Sequence, residues 1–192
     1  MPGFEIVALA ASAGGLKALT EVLAGLPAAF PAALVVVQHL DPRHRSLMAD
    51  ILGRRTKLAV RQAADNDRAQ PGNVLIAPPD RHLLVNPGGS VSLTRTDRVH
   101  FSRPSADLLF ESVAASYRDR AIAVILSGSG SDGSMGVKAI KKTGGTLVVQ
   151  DPATAEFAGM PGAAWKTGLA DFVLPLEEIA PALRTLLAAR AT

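Results

Sequence analysis

The strongest constraint on the fold of this chain is a series of short apolar segments, several of which lack polar alternation. They are rich in Val, Ile, Leu and Ala, and turn residues bound each of them. A strand with one face in solvent alternates apolar and polar side chains, whereas a parallel strand covered on both faces does not. The predicted buried strands are Glu5–Ala11, Ala33–Gln38, Leu58–Gln62, Val74–Ala77, Ala121–Leu126, Thr146–Gln150 and Asp171–Leu174.

Helical patterns lie between most of these segments. The predicted helices are Gly15–Leu26, Ser46–Arg55, Ser105–Tyr117 with Ser105 as N-cap, Ser134–Thr143, Met160–Thr167 and Glu177–Arg190. One exception is a predicted β-hairpin that pairs Leu83–Val85 with Val91–Thr94 across an Asn-Pro-Gly-Gly turn. We therefore predict an α/β fold: a doubly wound, mostly parallel sheet with helices on both faces and an appended β-hairpin.

Composition narrows the class of protein. The chain has 192 residues and no internal repeat, which predicts one domain over 1–192. The absence of Cys excludes disulfides, a thiolate nucleophile and Cys-ligated metal, and the 4% aromatic content disfavours a base-stacking nucleic-acid binder. No signal peptide and no apolar run of about 20 residues is found, so we expect a cytoplasmic protein without membrane insertion.

Positive charge is concentrated in the middle of the chain. Residues 41–103 hold Lys57 and ten arginines against six acidic side chains, a balance of +5, while the whole chain carries +3. Such a stretch attracts acidic partners, but an ordinary solvated surface has the same composition. Charge alone leaves both interpretations open.

Three polar side chains follow three predicted strands. Ser12 comes directly after the first strand, His39 after the second, and Asp132 lies in a Gly-rich loop after Ala121–Leu126. Taken singly, these residues also suit a helix cap, a structural histidine and a phosphate-binding loop. Because parallel strands end at one edge of a sheet, the three side chains together predict a Ser-His-Asp triad for acyl transfer.

The remaining His and Asp residues do not form a recognisable metal-binding motif. His44, His82 and His100 lack the spacing of a metal-binding pair. The segment Asp65–Asp67 lacks the Gly and the distal Glu of a calcium loop. We predict neither a metal nor a cofactor.

The motifs resemble the chemotaxis protein-glutamate methylesterases, the family of CheB-type esterase domains. The similar blocks follow one another along nearly the whole chain: AASAGGL at 10–16, VVVQHL at 35–40, IAPPDRH at 76–82, RPSAD at 103–107, ILSGSGSDG at 125–133, QD at 150–151 and GMP at 159–161. The resemblance implies the α/β sheet described above and a triad of Ser12, His39 and Asp132. It implies hydrolysis of glutamyl methyl esters on chemoreceptors during adaptation, with deamidation of receptor glutamines as a side activity.

The backbone N–H groups of Ala13, Ser129 and Gly130 are the candidates for the oxyanion hole. Two of these positions depart from the family pattern, because many members have Thr at the position of Ala13 and Met or Thr at that of Ser129. If the Thr helps to hold the histidine or the substrate, its loss slows turnover. Neither departure removes a triad side chain.

The resemblance also implies the partners. Methylated receptor helices are rich in Glu and Gln, so we expect them to meet the basic stretch, with Arg43, Arg45 and Arg103 as substrate-binding candidates. Family members usually carry a receiver domain, which we do not find in this chain. The motif sequences are most similar to those of esterase domains fused to a methyltransferase. The alternatives are a non-catalytic binding module and, with less support, a nucleic-acid-binding protein suggested by the isoelectric point of about 9.6.

Overall fold

A single parallel sheet forms the centre of the molecule in the computed structural model, which describes residues 5–41, 43 and 45–190. His44 lies outside the described residues. Seven strands are ordered β3-β4-β2-β1-β7-β8-β9, and every neighbouring pair is parallel. The strands are β1 (Ile6–Ala11), β2 (Ala33–Gln38), β3 (Ala59–Gln62), β4 (Asn73–Ile76), β7 (Ala121–Ile125), β8 (Thr146–Gln150) and β9 (Phe172–Leu174).

Six α-helices and a hairpin complete the described part of the chain. The helices are α1 (Gly15–Ala24), α2 (Met48–Gly53), α3 (Ala106–Tyr117), α4 (Gly136–Lys142), α5 (Gly159–Lys166) and α6 (Leu176–Arg190), with one 3₁₀ turn at Arg118–Arg120. The strands β5 (His82–Val85) and β6 (Val91–Thr94) pair antiparallel. The predicted fold class is therefore confirmed, and most element boundaries differ from the prediction by one or two residues.

Alternate residues of the central strands build two separate cores. Ile6, Ala8 and Ala10 of β1 are fully buried against α3, α4, α5 and the hairpin. Val7 and Leu9 point to the opposite face, where α1, α2 and α6 cover the sheet. This double burial explains why the strand sequences show no polar alternation.

The description of every strand as buried is wrong at the two edges of the sheet. Side chains of β3 and β9 are largely exposed, because each of these strands has a neighbour on one side only. Alternation of strand and helix also fails from β3 to β6, since these four strands follow one another without a helix, and a loop connects β3 with β4. The connecting loop instead hydrogen-bonds to the hairpin, where Val91 accepts from Asn66 N–H and donates to the carbonyl of Asp67.

The hairpin is attached to the sheet through α3. Ser112 Oγ accepts a hydrogen bond of 3.0 Å from Val85 N–H, and Ser116 Oγ donates one of 2.8 Å to the Val85 carbonyl. Both backbone groups of this strand residue are thereby paired with a helix. The segment between β6 and α3, residues 95–105, connects the hairpin to this helix.

The strand order places a topological switch point at the centre of the sheet. From β1 the chain first builds outward through β2, and it later returns to add β7 on the opposite side of β1. Ligands of such sheets bind outside the carboxyl ends of the strands at this point. The carboxyl ends of β2, β1 and β7 are followed by His39, Ser12 and the loop of Asp132.

Over the ranges described, no helix is long and apolar enough to cross a membrane. The same residues contain no group of three or more His, Asp or Glu side chains arranged to hold a metal ion.

Candidate active site

Ser12 stands at a sharp turn between β1 and α1. Its backbone N–H donates to the carbonyl of Ser127 at the end of β7, and its carbonyl accepts from Gly15 N–H at 2.8 Å. Gly14 between them has φ +74°, a conformation that favours glycine. The half-buried Ser12 hydroxyl has no hydrogen bond to any residue that the structure describes, so it is available to react.

Close packing around Ser12 requires Gly128. A Cβ atom at this glycine would lie 2.9 Å from Ser12 Cβ and 2.3 Å from the Met160 sulfur. Both distances are shorter than van der Waals contact allows. The Gly-rich loop after β7 can therefore approach the serine only because position 128 has no side chain.

Gln38 links the backbones of Ser12 and His39. β1 and β2 pair Ala11 with Gln38, so the next position of this register places Ser12 beside His39. The buried Gln38 Nε2 donates to the Ser12 carbonyl at 2.8 Å and to the His39 carbonyl at 3.1 Å. One amide group thus fixes the spacing of the two residues. Sequence reasoning missed this role of Gln38, for which a polar residue at the end of a buried strand is the only indication.

The imidazole of His39 is oriented by Asp132. His39 Nε2 lies 2.7 Å from Asp132 Oδ2, and the carboxyl group is almost completely buried. An ionised carboxylate only accepts hydrogen bonds, so Nε2 carries a hydrogen and donates the hydrogen bond to Asp132. In the neutral ring the unprotonated nitrogen is then Nδ1, which makes no hydrogen bond to a described residue, the Ser12 hydroxyl included, and is able to accept a proton.

Asp132 receives four hydrogen bonds. Its Oδ2 also accepts from Ala106 N–H at 2.7 Å, while Oδ1 accepts from Asp107 N–H and from the Ser105 hydroxyl. Burial acts to raise the pKa of Asp132, but the bond from His39 and the N–H groups at the start of α3 outweigh it, so the pKa lies below its usual range. The predicted N-cap Ser105 is confirmed, because its Oγ also accepts from Leu108 N–H.

Asp107 completes a reciprocal clasp between two helices. Asp132, which precedes α4, caps the first turn of α3, and Asp107 in that turn accepts from Met135 and Gly136 N–H at the start of α4. Its Oδ2 is buried, has no hydrogen bond, and lies 3.6 Å from His100 Nδ1. Burial raises the pKa of Asp107, the Gly136 N–H opposes this, and the nearby Asp132 charge adds to the rise.

Replacement of Asp107 by Asn should flatten the dependence of stability on pH. With a raised pKa the native state holds this proton more tightly than the unfolded chain, so stability falls as pH rises from about 3.9 through the native pKa. Asn cannot ionise but can still accept from the α4 N–H groups. We expect Tm measured from pH 3.5 to 7.5 to decline less in Asp107→Asn than in the wild type.

Asp107→Ala is the control for the clasp. It removes the acceptor as well as the charge, so it should lower stability at every pH by about 1–2 kcal/mol, as loss of a helix cap does. Parallel Tm curves for wild type and Asp107→Asn would show that ionisation of Asp107 does not affect stability.

The oxyanion candidates have backbone N–H groups without a partner in the described part of the chain. Ala13 N–H, Ser129 N–H and Gly130 N–H have no hydrogen bond within the described ranges, and both 129 and 130 are exposed. Ser127 fixes the turn that carries the first of them, because its Oγ donates to the Ala13 carbonyl at 2.8 Å and accepts from Phe157 N–H. All three N–H groups are thus available to donate to a bound anion.

Two clefts are lined by the triad candidates. Ser12 lines one of about 690 Å³ between α1 and α2, together with Leu16, Ile51 and Glu156. His39 and Asp132 line another of about 490 Å³ on the side of the Gly-rich loop. The candidate nucleophile and the candidate base thus face different clefts.

The arginine candidates differ in their surroundings. Arg43 is highly exposed and paired with Asp41, while Arg45 is exposed beside α2. Arg103 is mostly buried, and its guanidinium donates to Asp80 Oδ1 and to the carbonyl of Thr96. Arg103 borders the same cavity as His39, but its donors already have partners within the protein.

Comparison with known proteins identifies the family of this chain. A family model described as CheB methylesterase matches residues 7–183. Proteins named protein-glutamate methylesterase/protein-glutamine glutaminase are 43% identical in Moorella thermoacetica and 44% in Pseudomonas aeruginosa, covering 96% and 93% of this chain. The chain spans only 45% and 52% of these relatives, but 92% of a Leptospira interrogans protein with the same name, marked putative, at 41% identity.

A solved structure has the same fold over nearly the whole chain. The CheB methylesterase catalytic domain of Thermotoga maritima is 37% identical, with a TM-score of 0.91, and the match covers 97% of this chain and all of that one. Sequence and structure thus agree over the sheet, the helices and the loops at the switch point. This chain belongs to the CheB methylesterase family.

Proposed function

We propose that this chain is a serine esterase that removes methyl groups from glutamyl methyl esters of chemoreceptors, in chemotaxis adaptation. The observation that carries the proposal is the arrangement at the switch point. Ser12 and His39 occupy neighbouring strand ends, and the His39 ring is hydrogen-bonded to a buried Asp132 at 2.7 Å. The names of the relatives support the substrate class.

Ser12 is the nucleophile in the first step. Its Oγ attacks the ester carbonyl carbon while His39 Nδ1 accepts the hydroxyl proton. The imidazolium that forms is stabilised by Asp132, whose lowered pKa keeps it ionised. The carbonyl oxygen becomes an anion that the N–H groups of Ala13, Ser129 and Gly130 stabilise. Each such donor lowers the activation barrier by about 3–4 kcal/mol.

Collapse of the tetrahedral intermediate breaks the bond to the methoxy group. His39 returns its proton to the leaving oxygen, so methanol departs and a glutamyl ester of Ser12 remains. Water then attacks this acyl-enzyme with His39 as base, which releases the glutamate side chain and restores the serine. The same steps on a glutamine side chain release ammonia instead of methanol, which is the proposed deamidase activity. All of them use only side chains, backbone N–H groups and water.

We propose that the substrates are the cytoplasmic helices of chemoreceptors, and that the chain acts in the cytoplasm. A receiver or methyltransferase domain on a longer chain is a further proposed partner, consistent with the greater length of several relatives. The decisive experiment measures methanol release from a receptor fragment methylated on glutamate, with wild type and Ser12→Ala.

Basic residues of the 41–103 stretch are proposed to attract the acidic receptor helices. Asp41, Asp67 and Asp80 neutralise some of its arginines. Other cations are exposed without an ion pair to any described residue: Arg45, Arg54, Arg55, Lys57, Arg81 and Arg98. Of these, Arg55 lines the cleft of Ser12 and Arg98 borders a cavity with His39, which leaves positive charge next to the site.

Electrostatic attraction predicts a salt dependence that differs between substrates. Raising the salt from 0.05 to 0.5 M should lower kcat/KM on the methylated receptor by roughly ten-fold or more, because screening weakens long-range attraction. The kcat/KM on a small neutral ester should hardly change, and Arg45→Glu should reduce the slope for the receptor. Equal salt slopes for the two substrates would contradict the role of these charges.

A further inference from the structure

A tight turn next to the triad holds two non-glycine residues in an unfavourable backbone conformation. Val99 and Ser102 form two backbone hydrogen bonds of 3.0 and 2.9 Å, and the residues between them, His100 and Phe101, have φ of +46° and +69°. A two-residue turn with positive φ at both positions usually contains Asn and Gly. His and Phe at these positions strain the backbone, and such strain is often found at functional sites.

The turn is held in place from several sides. The buried His82 Nε2 is hydrogen-bonded to the carbonyl of Asp97 at 3.0 Å. Arg103, fixed by Asp80, donates to the carbonyls of Arg95 and Thr96. Ser105, which follows, donates its N–H to His82 Nδ1, so the segment from β6 to α3 is braced at both ends.

Phe101 at the tip of this braced turn points away from the protein. Its side chain is 94% exposed and lines the 490 Å³ cleft that also contains His39 and Asp132. Met135, which is 49% exposed, borders the same cleft. A single exposed apolar side chain is ordinary. A phenyl ring at the rim of the cleft that contains His39, on a strained and braced turn, has the placement of a ligand contact.

We propose that Phe101 is a specificity-determining residue that binds an apolar side chain of the substrate protein next to the esterified glutamate. This inference rests on the proposed function. His39 lines the same cleft as Phe101 and Met135, so an ester that reaches both Ser12 and His39 places flanking residues of its own chain near this cleft. A small ester has no flanking chain, so it gains nothing from this contact.

Phe101→Gly separates this contact from the chemistry. Glycine adopts φ +69° without strain, and the ring packs against no core, so Tm should stay the same or rise. We expect kcat/KM for the methylated receptor fragment to fall about ten- to hundred-fold, mainly through KM, because burial of a phenyl ring is lost. Hydrolysis of glutamate γ-methyl ester blocked at both ends should remain within about two-fold of the wild type.

Two further variants sharpen the result. Phe101→Leu retains an apolar side chain and should recover most of the activity on the receptor. Phe172→Ala removes a partly exposed phenyl ring from the edge strand β9 and should leave kcat/KM unchanged for both the receptor and the small ester.

The outcomes separate this inference from the proposed function. Equal losses on the receptor and the small ester would show that Phe101 acts on the chemistry and not on substrate recognition. An unchanged kcat/KM on the receptor would refute the contact while leaving the esterase intact. Failure of the wild type to release methanol from the receptor would overturn the proposed function and this inference with it.

Discussion

Ser12→Ala is expected to eliminate methanol release from a methylated receptor while leaving the fold intact. Without the hydroxyl no acyl-enzyme forms, and loss of a triad nucleophile costs about 10⁶-fold in kcat in the serine proteases. The hydroxyl has no hydrogen bond to a described residue, so its removal leaves no unpaired buried group. The measurement is methanol production over time, with Tm as the check on folding.

Labelling with a fluorophosphonate tests the same serine independently of the receptor. The reagent should modify the wild type at Ser12 and leave Ser12→Ala unmodified. Thr185→Ala, which removes an exposed hydroxyl from α6, should keep both labelling and turnover. Turnover by Ser12→Ala at the wild-type rate would exclude this residue as the nucleophile.

Asp132→Asn is expected to slow turnover by roughly 10⁴-fold, as the same change does in serine protease triads. All four hydrogen bonds to the carboxylate come from donors: His39, Ala106, Ser105 and Asp107. In the Asp132→Asn variant an NH₂ group replaces one acceptor oxygen. The negative charge that stabilises the imidazolium is then lost, and the NH₂ group faces at least one donor that it cannot accept from. The measurement is kcat for methanol release at a saturating receptor concentration.

The same substitution should also lower stability, because Asp132 caps α3. We expect a loss of about 0.5–2 kcal/mol in unfolding experiments. Glu111→Gln, on the exposed side of α3, removes a carboxylate from the same helix without touching the site and should preserve kcat. A decrease in kcat of only a few-fold for Asp132→Asn would assign Asp132 a structural role alone.

The sheet and the strand ends were accessible from the sequence because both depend on local patterns. Uninterrupted apolar runs predict parallel strands, and parallel strands bring their carboxyl ends to one edge. Residues such as Ser12 and His39, which directly follow these runs, could therefore be assigned to the same site. Exposure of β3 and β9 could not, since their position at the edges depends on strand order.

The residues that support the triad carry weaker signals. Gln38 contacts the carbonyl of a residue 26 positions away, and Asp107 binds the start of a helix 29 positions away. Neither contact leaves a periodic trace in the sequence. Phe101 was missed because a positive φ at a non-glycine residue follows from the bracing by His82 and Arg103, which only the three-dimensional arrangement reveals.

The double use of the Asp132 carboxylate connects catalysis to the slow fluctuations of the backbone. Ala106 N–H donates to the same oxygen atom that orients His39, so this amide proton is protected from solvent while that oxygen is held in place. Each local unfolding event that exposes the Ala106 N–H to exchange with deuterium also breaks its hydrogen bond to the Asp132 carboxylate. Hydrogen exchange at Ala106 therefore reports how often the resting enzyme disassembles and rebuilds its catalytic centre, without any substrate present.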